Sequence, residues 1–123
     1  MKILLVMGGF FTLAFFVFHA LFWKLFNWNE DLKTLSPLNR GVMQILNLCL
    51  MVVFLVFGLL SIFHPDEMLS TALGAGLLSG IAGLWFFRAI LQIVFFKLKS
   101  RISIMFFWLF LLGGLLYAVP LIA

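Results

Sequence analysis

The sequence has little of what disulfide-rich domains, metalloproteins and most enzymes rely on. Its 123 residues include one cysteine, two histidines and four acidic residues. A single cysteine excludes an intrachain disulfide and a CxxC motif, and Cys49 is expected to be a small buried apolar residue. The sequence contains no recognisable Ser-His-acid set, intramembrane carboxylate pair or metal-spaced cluster. We therefore predict no catalytic residue, metal or cofactor, and an enzyme is the less favoured class.

Charged residues make up only 10% of the chain, whereas 66% of it is hydrophobic. A soluble domain of this length could not bury so much apolar surface, so the composition predicts an all-α integral membrane protein. The net charge is +4, but the basic residues flank apolar segments. That arrangement is typical of helix ends near anionic lipid and does not indicate nucleic-acid binding. We predict one transmembrane domain over residues 1–123.

Four apolar segments are each long enough to cross ~30 Å of hydrocarbon. We predict a four-transmembrane-helix bundle with spans at about residues 3–26, 41–63, 68–96 and 102–122. The first segment has no following cleavage site and is expected to be a retained span.

The segment junctions predict how consecutive spans are connected. Ser36-Pro37 is typical of a helix start. His64-Pro65 ends span two, so spans two and three are expected to form a tight antiparallel hairpin. Span four carries no charge and is expected to lie outermost.

The positive charges are distributed asymmetrically between the two ends of the predicted bundle. One end carries six basic residues: Lys24, Lys33, Arg40, Lys97, Lys99 and Arg101. The other end carries only Lys2, together with His64, Asp66 and Glu67. The positive-inside rule therefore predicts that the first and third loops are cytoplasmic and that both termini are extracytoplasmic. The expected location is a bacterial plasma (inner) membrane.

Polar residues on three spans lie toward the basic end, and four of them, His19, Gln44, Asn47 and Arg88, fall at similar predicted depths, ~10–15 Å from that end. The whole set is His19 and Trp23 on span one, Arg40, Gln44 and Asn47 on span two, and Arg88 and Gln92 on span three. Because no carboxylate lies at that depth, the counter-charge of the two arginines would come either from Glu30 or Asp31 folding back from the loop or from a bound anion. A lipid phosphate or an anionic metabolite would suit the arginines. The alternative is structural: Arg40 extends to the lipid phosphates and the amides form interhelical hydrogen bonds. His19 and His64 lie at opposite ends, so they cannot clamp one haem.

Gly76 and Gly80 form a GxxxG motif in span three, and Gly83 lies one turn further along. Small residues at this spacing let a second helix approach closely, so we predict helix packing at this face. A flexible hinge for transport is the alternative interpretation.

Two function classes follow from these patterns. The favoured one is a small non-enzymatic accessory or scaffold protein that acts through helix packing in the membrane, with a membrane protein or a second copy as its partner. The alternative is a binder or carrier of an anionic lipid or small metabolite through the polar site in the cytoplasmic leaflet. Membrane lipids are expected partners in both cases, and nucleic acid in neither.

Overall fold

The computed structural model describes all residues, 1–123, and contains helices and no strands. The α-helices are α1 (Lys2–Ala20), α2 (Phe22–Leu25), α3 (Trp28–Asp31), α4 (Pro37–Phe63), α5 (Pro65–Ser70), α6 (Ala72–Leu91) and α7 (Arg101–Ile122). A 3-10 turn covers Leu32–Thr34, and a π-helix over Gln92–Phe96 extends α6. The helices α1, α4, α6 with its extension, and α7 are long and apolar enough to cross a membrane. The prediction of an all-helical chain with four such helices is confirmed.

Side-chain caps begin three of the long helices. The Ser36 hydroxyl accepts a hydrogen bond from the Asn39 amide at 3.2 Å, with Pro37 at the first helical position. Thr71 caps α6 in the same way at 2.9 Å, and Ser100 caps α7 at 3.1 Å. Each cap satisfies one of the amides that a helix start leaves unpaired. The helix start predicted at Ser36-Pro37 is therefore confirmed.

The predicted hairpin between spans two and three is wrong, because α5 lies between α4 and α6. Thr71 is extended, with φ −117° and ψ 156°, so it ends α5 and caps α6. The chain then folds back so closely that a Cβ at Gly74 would collide with the backbone of Met68. As a result α6 begins at Ala72, four residues after the predicted start of span three.

The four long helices are ordered α4–α1–α7–α6 around the bundle. Span four, which is α7, is therefore not outermost, because it packs against both α1 and α6. Glycines allow this close approach: a Cβ at Gly113 would lie 2.5 Å from the Phe11 ring and 3.1 Å from Trp85. At the α1–α4 contact, a Cβ at Gly9 would lie 2.9 Å from the Gly58 carbonyl oxygen.

Trp85 lies at the centre of the bundle and is only 1% exposed. Its ring stacks on Phe54 of α4, with centroids 5.3 Å apart, and on Phe110 of α7, with centroids 6.0 Å apart. Phe15 of α1 approaches the same ring to 4.9 Å. One aromatic cluster thus connects all four long helices.

The predicted packing face on α6 contacts no other helix of the chain. A Cβ at Gly76, Gly80 or Gly83 would meet no atom within 4 Å. The small residues that do hold helices together are on α1, α4 and α7 instead. Cys49 is also exposed on α4, so the expectation that it is buried is wrong.

Candidate functional site

A cavity of about 480 Å³ lies between the four long helices. It extends from the aromatic cluster around Trp85 toward the basic end, which is the end that carries residues 21–36 and 97–100. Aromatic and aliphatic side chains line most of it: Phe15, Phe18, Phe22, Phe26, Leu50, Phe54, Leu84, Trp85, Phe96, Ile102, Phe106 and Phe110. The polar lining residues are His19, Arg88, Gln92, Ser100 and Ser103. The cavity is therefore apolar with a small polar cluster.

Two segments line the cavity with side chains at the same spacing. The lining phenylalanines are residues 15 and 18 on α1, 22 on α2 and 26 directly after α2, and on α6 and its extension the lining residues are 85, 88, 92 and 96. Steps of three, four and four residues keep side chains on one helix face. The phenylalanine spacing was visible in the sequence, but it does not distinguish a cavity wall from ordinary packing.

Arg88 places its guanidinium group in the cavity without an acidic partner. Its central carbon lies 4.4 Å from the centre of the Phe110 ring, and Nη1 donates to Gln92 Oε1 at 3.1 Å. The three ion pairs of the chain are Lys2–Asp66, Lys33–Glu30 and His64–Glu67. The other Arg88 nitrogens have no partner in the chain and are not enclosed by protein atoms. They are available to an external acceptor.

A short series of hydrogen bonds connects the Arg88 side chain to the turn that precedes α7. Gln92 accepts from Arg88 and donates through Nε2 to the Ser103 hydroxyl at 2.9 Å. Ser103 in turn donates to the carbonyl oxygen of Lys97. Lys97 has φ 60° and ψ 175°, a backbone conformation that costs free energy for a residue other than glycine. The π-helix and this turn therefore orient Gln92 into the bundle.

Asn47 holds His19 through two hydrogen bonds. The Asn47 Nδ2 group donates to the His19 carbonyl oxygen at 3.1 Å, and the Asn47 Oδ1 atom lies 2.7 Å from His19 Nδ1. The imidazole ring also packs on Phe22, with centroids 4.2 Å apart. Asn47 itself is buried behind the ring and does not line the cavity.

Arg40 does not join Arg88, contrary to the prediction that both arginines face one site. Its guanidinium group donates to the carbonyl oxygens of Leu32, Lys33 and Leu35 at 2.8, 3.3 and 3.1 Å. These carbonyls belong to the 3-10 turn and to the residue that follows it, and they provide acceptors close to the first turn of α4. Arg40 therefore stabilises the first loop.

Trp23 and Gln44 are connected to Arg40 by hydrogen bonds, and neither side chain lines the cavity. The Trp23 indole donates to Gln44 Oε1 at 3.3 Å, and Gln44 Nε2 donates to the Arg40 carbonyl oxygen at 3.2 Å. The predicted polar group is thus divided in two. His19, Arg88 and Gln92 meet at the cavity, while Trp23, Arg40 and Gln44 form a layer nearer the basic end.

The polar side chains of the cavity are mainly hydrogen-bond donors, the kind of group that anions accept from. No three His, Cys, Asp or Glu side chains lie close enough together to hold a metal ion. The donors are the Arg88 guanidinium and the Gln92 amide, and His19 adds an imidazole nitrogen. Ser103 was not predicted as a site residue, because nothing in the sequence shows that a serine three residues into α7 faces Gln92.

Comparisons with known protein families, with curated proteins and with solved structures give no match to this chain.

Proposed function

We propose that the four long helices span a membrane with the basic end in the cytoplasm. Six basic residues at that end against one at the other support this orientation. Both termini then lie on the extracytoplasmic side, and the bacterial inner membrane is the proposed location. In this orientation the polar end of the cavity lies in the cytoplasmic leaflet.

The proposed function is binding of an anionic amphiphile in the cavity. The observation that carries it is the Arg88 guanidinium in an apolar cavity with no carboxylate partner. A charge inside a membrane span costs a few kcal/mol. The contact with Phe110 offsets about 0.5–2 kcal/mol of that cost. A bound anion with two acceptor oxygens would offset the remainder through the planar guanidinium fork.

The cavity also indicates that the ligand has an apolar part. Its volume of about 480 Å³ falls within the range of ~300–1,000 Å³ that is typical of small-molecule sites. Rings surround the space beyond Arg88 on all four helices, and the only hydrogen-bond donor among them is the Trp85 indole N–H, which is buried and has no partner in the chain. An anionic group at Arg88 with an attached hydrocarbon chain or ring is the ligand that matches both parts of the lining.

Native mass spectrometry of the protein extracted with its own lipids tests this function. The samples are wild type, Arg88→Gln and Arg40→Gln. We expect an anionic amphiphile on wild type and on Arg40→Gln, since Arg40 bonds to loop carbonyls. We expect Arg88→Gln to lose it. A bare wild-type protein, or equal retention by Arg88→Gln, would contradict the proposal.

A second candidate function is the accessory or scaffold role, in which another membrane helix packs on α6. The observation that favours it is the open face at Gly76, Gly80 and Gly83, where an added Cβ meets no atom of the chain. Close packing on such a face is typical of helix pairs in membranes. Its test is the assembly state of a variant that carries a bulky side chain at Gly80.

A further inference from the structure

The polar end of the cavity offers a lone pair as well as hydrogen-bond donors. Arg88 can only donate hydrogen bonds. His19 differs, because a neutral imidazole has one nitrogen that donates and one that accepts. A ligand atom next to the accepting nitrogen must be a hydrogen-bond donor, so it matters which of the two nitrogens accepts.

The hydrogen bonds of Asn47 assign the two nitrogens of His19. The Asn47 amide group donates to the His19 carbonyl oxygen at 3.1 Å, so its other atom, Oδ1, is an acceptor. That acceptor lies 2.7 Å from Nδ1, and Nδ1 therefore carries the hydrogen. In the neutral ring Nε2 then holds the lone pair. Nε2 has no partner in the chain and is not enclosed by protein atoms.

We infer that the head group bound in the cavity carries a hydrogen-bond donor next to its negative charge. This inference rests on the proposed function and defines the ligand class more narrowly. The acceptor oxygens of such a head group would bind Arg88, while its hydroxyl would donate to His19 Nε2. A singly charged phosphomonoester has both features. A sulfate or sulfonate would instead place an oxygen lone pair against the Nε2 lone pair.

A competition between two matched amphiphiles tests the inference. Dodecylphosphonate and dodecanesulfonate have the same chain and a tetrahedral head, and at mildly acidic pH both carry one negative charge. The singly charged phosphonate carries a hydroxyl on phosphorus where the sulfonate carries an unprotonated oxygen on sulfur. Equal amounts, with one chain deuterated, are added to the protein in nanodiscs of zwitterionic lipid. Native mass spectrometry then gives the ratio of the two bound species.

We expect wild type to retain the phosphonate about tenfold more than the sulfonate, the effect of one hydrogen bond to a charged group. The His19→Phe variant should bring the ratio to about one. The matched control is His64→Phe at the other end of the bundle, which should keep the wild-type ratio. Arg88→Gln should lose both amphiphiles.

The outcomes separate this inference from the proposed function. Equal retention of the two amphiphiles by wild type, or an unchanged ratio in His19→Phe, would overturn the inference and leave anion binding standing. Retention of neither by wild type would overturn both. Methylphosphonate, which has the same head group without the chain, distinguishes a lipid-like ligand from a free ion. Binding of methylphosphonate as tight as that of dodecylphosphonate would contradict an amphiphilic ligand.

Discussion

Tyr117 joins three helices through one hydroxyl group. It is fully buried, and its oxygen lies 2.8 Å from the Ser61 hydroxyl on α4 and 3.1 Å from the Thr12 hydroxyl on α1. Both partners donate to carbonyl oxygens within their own helices, so the single tyrosine hydrogen is donated to one of the two hydroxyls at a time. Removing the tyrosine hydroxyl would therefore leave neither partner without a hydrogen bond.

We expect Tyr117→Phe to lower the free energy of unfolding by about 1 kcal/mol, since interhelical hydrogen bonds in membrane proteins contribute about 0.6 kcal/mol each. Tyr117→Ala should cost about 3–5 kcal/mol, because it also leaves a cavity. Equilibrium unfolding in mixed detergent micelles measures both. A loss for Tyr117→Phe as large as that for Tyr117→Ala would contradict this account of the hydroxyl.

The sequence predicted the polar residues but not all of their partners. Depth along a span follows from counting residues, and this identified Arg88 and His19 as polar groups well inside long apolar segments. The direction in which each side chain points around the helix axis, and hence its partner, does not follow from counting residues. Nothing in the sequence shows that the carbonyls of Leu32, Lys33 and Leu35 lie within reach of Arg40. Trp85 was missed for a related reason, since an apolar ring inside an apolar span gives no signal.

At the scale of the element, the open glycine face of α6 gives a test of the scaffold candidate. Gly80→Leu places a bulky side chain on that face, where the chain itself leaves room. We expect the variant to fold and to keep the cavity ligand, but to lose any assembly formed through α6. Size-exclusion chromatography with light scattering in mild detergent measures the assembly state.

Gly41→Leu is the matched control for Gly80→Leu. Gly41 on α4 also has no atom within 4 Å of an added Cβ, so both substitutions add the same apolar side chain to an open site. We expect Gly41→Leu to behave like wild type. If Gly80→Leu does so too, or if wild type is a single chain, assembly with a second copy through α6 is contradicted.

Helix boundaries were predicted well where residues at the boundary cap the adjacent turn. They were predicted poorly where contacts with distant parts of the chain determine the boundary. Ser36-Pro37 begins α4 because both residues act on the adjacent turn. The break at Leu21 has no comparable signal, since Leu21 is neither a capping residue nor a glycine or proline. Thr71 is a capping residue, but no proline follows it, and its signal was missed. The π-helix over Gln92–Phe96 is likewise unpredictable from hydropathy, because it changes hydrogen bonding without changing composition.

For the whole molecule, the proposed orientation predicts which residues a membrane-impermeant thiol reagent can reach. In a Cys49→Ser background, Lys99→Cys should react only in inverted vesicles and Asp66→Cys only in intact cells. Both sites lie outside the long helices. The reverse labelling pattern would contradict a cytoplasmic basic end. Labelling of both variants from one side would contradict the four-span arrangement.

The order α4–α1–α7–α6 has a consequence for how the molecule is made. The most extensive contacts join α1 to α4 and α6 to α7, and each pair is close in sequence. During synthesis the first pair can form before the second emerges, so two helical hairpins are complete before they meet. The cavity has walls from both hairpins and does not exist until they associate. The cavity is therefore a product of the last step of assembly.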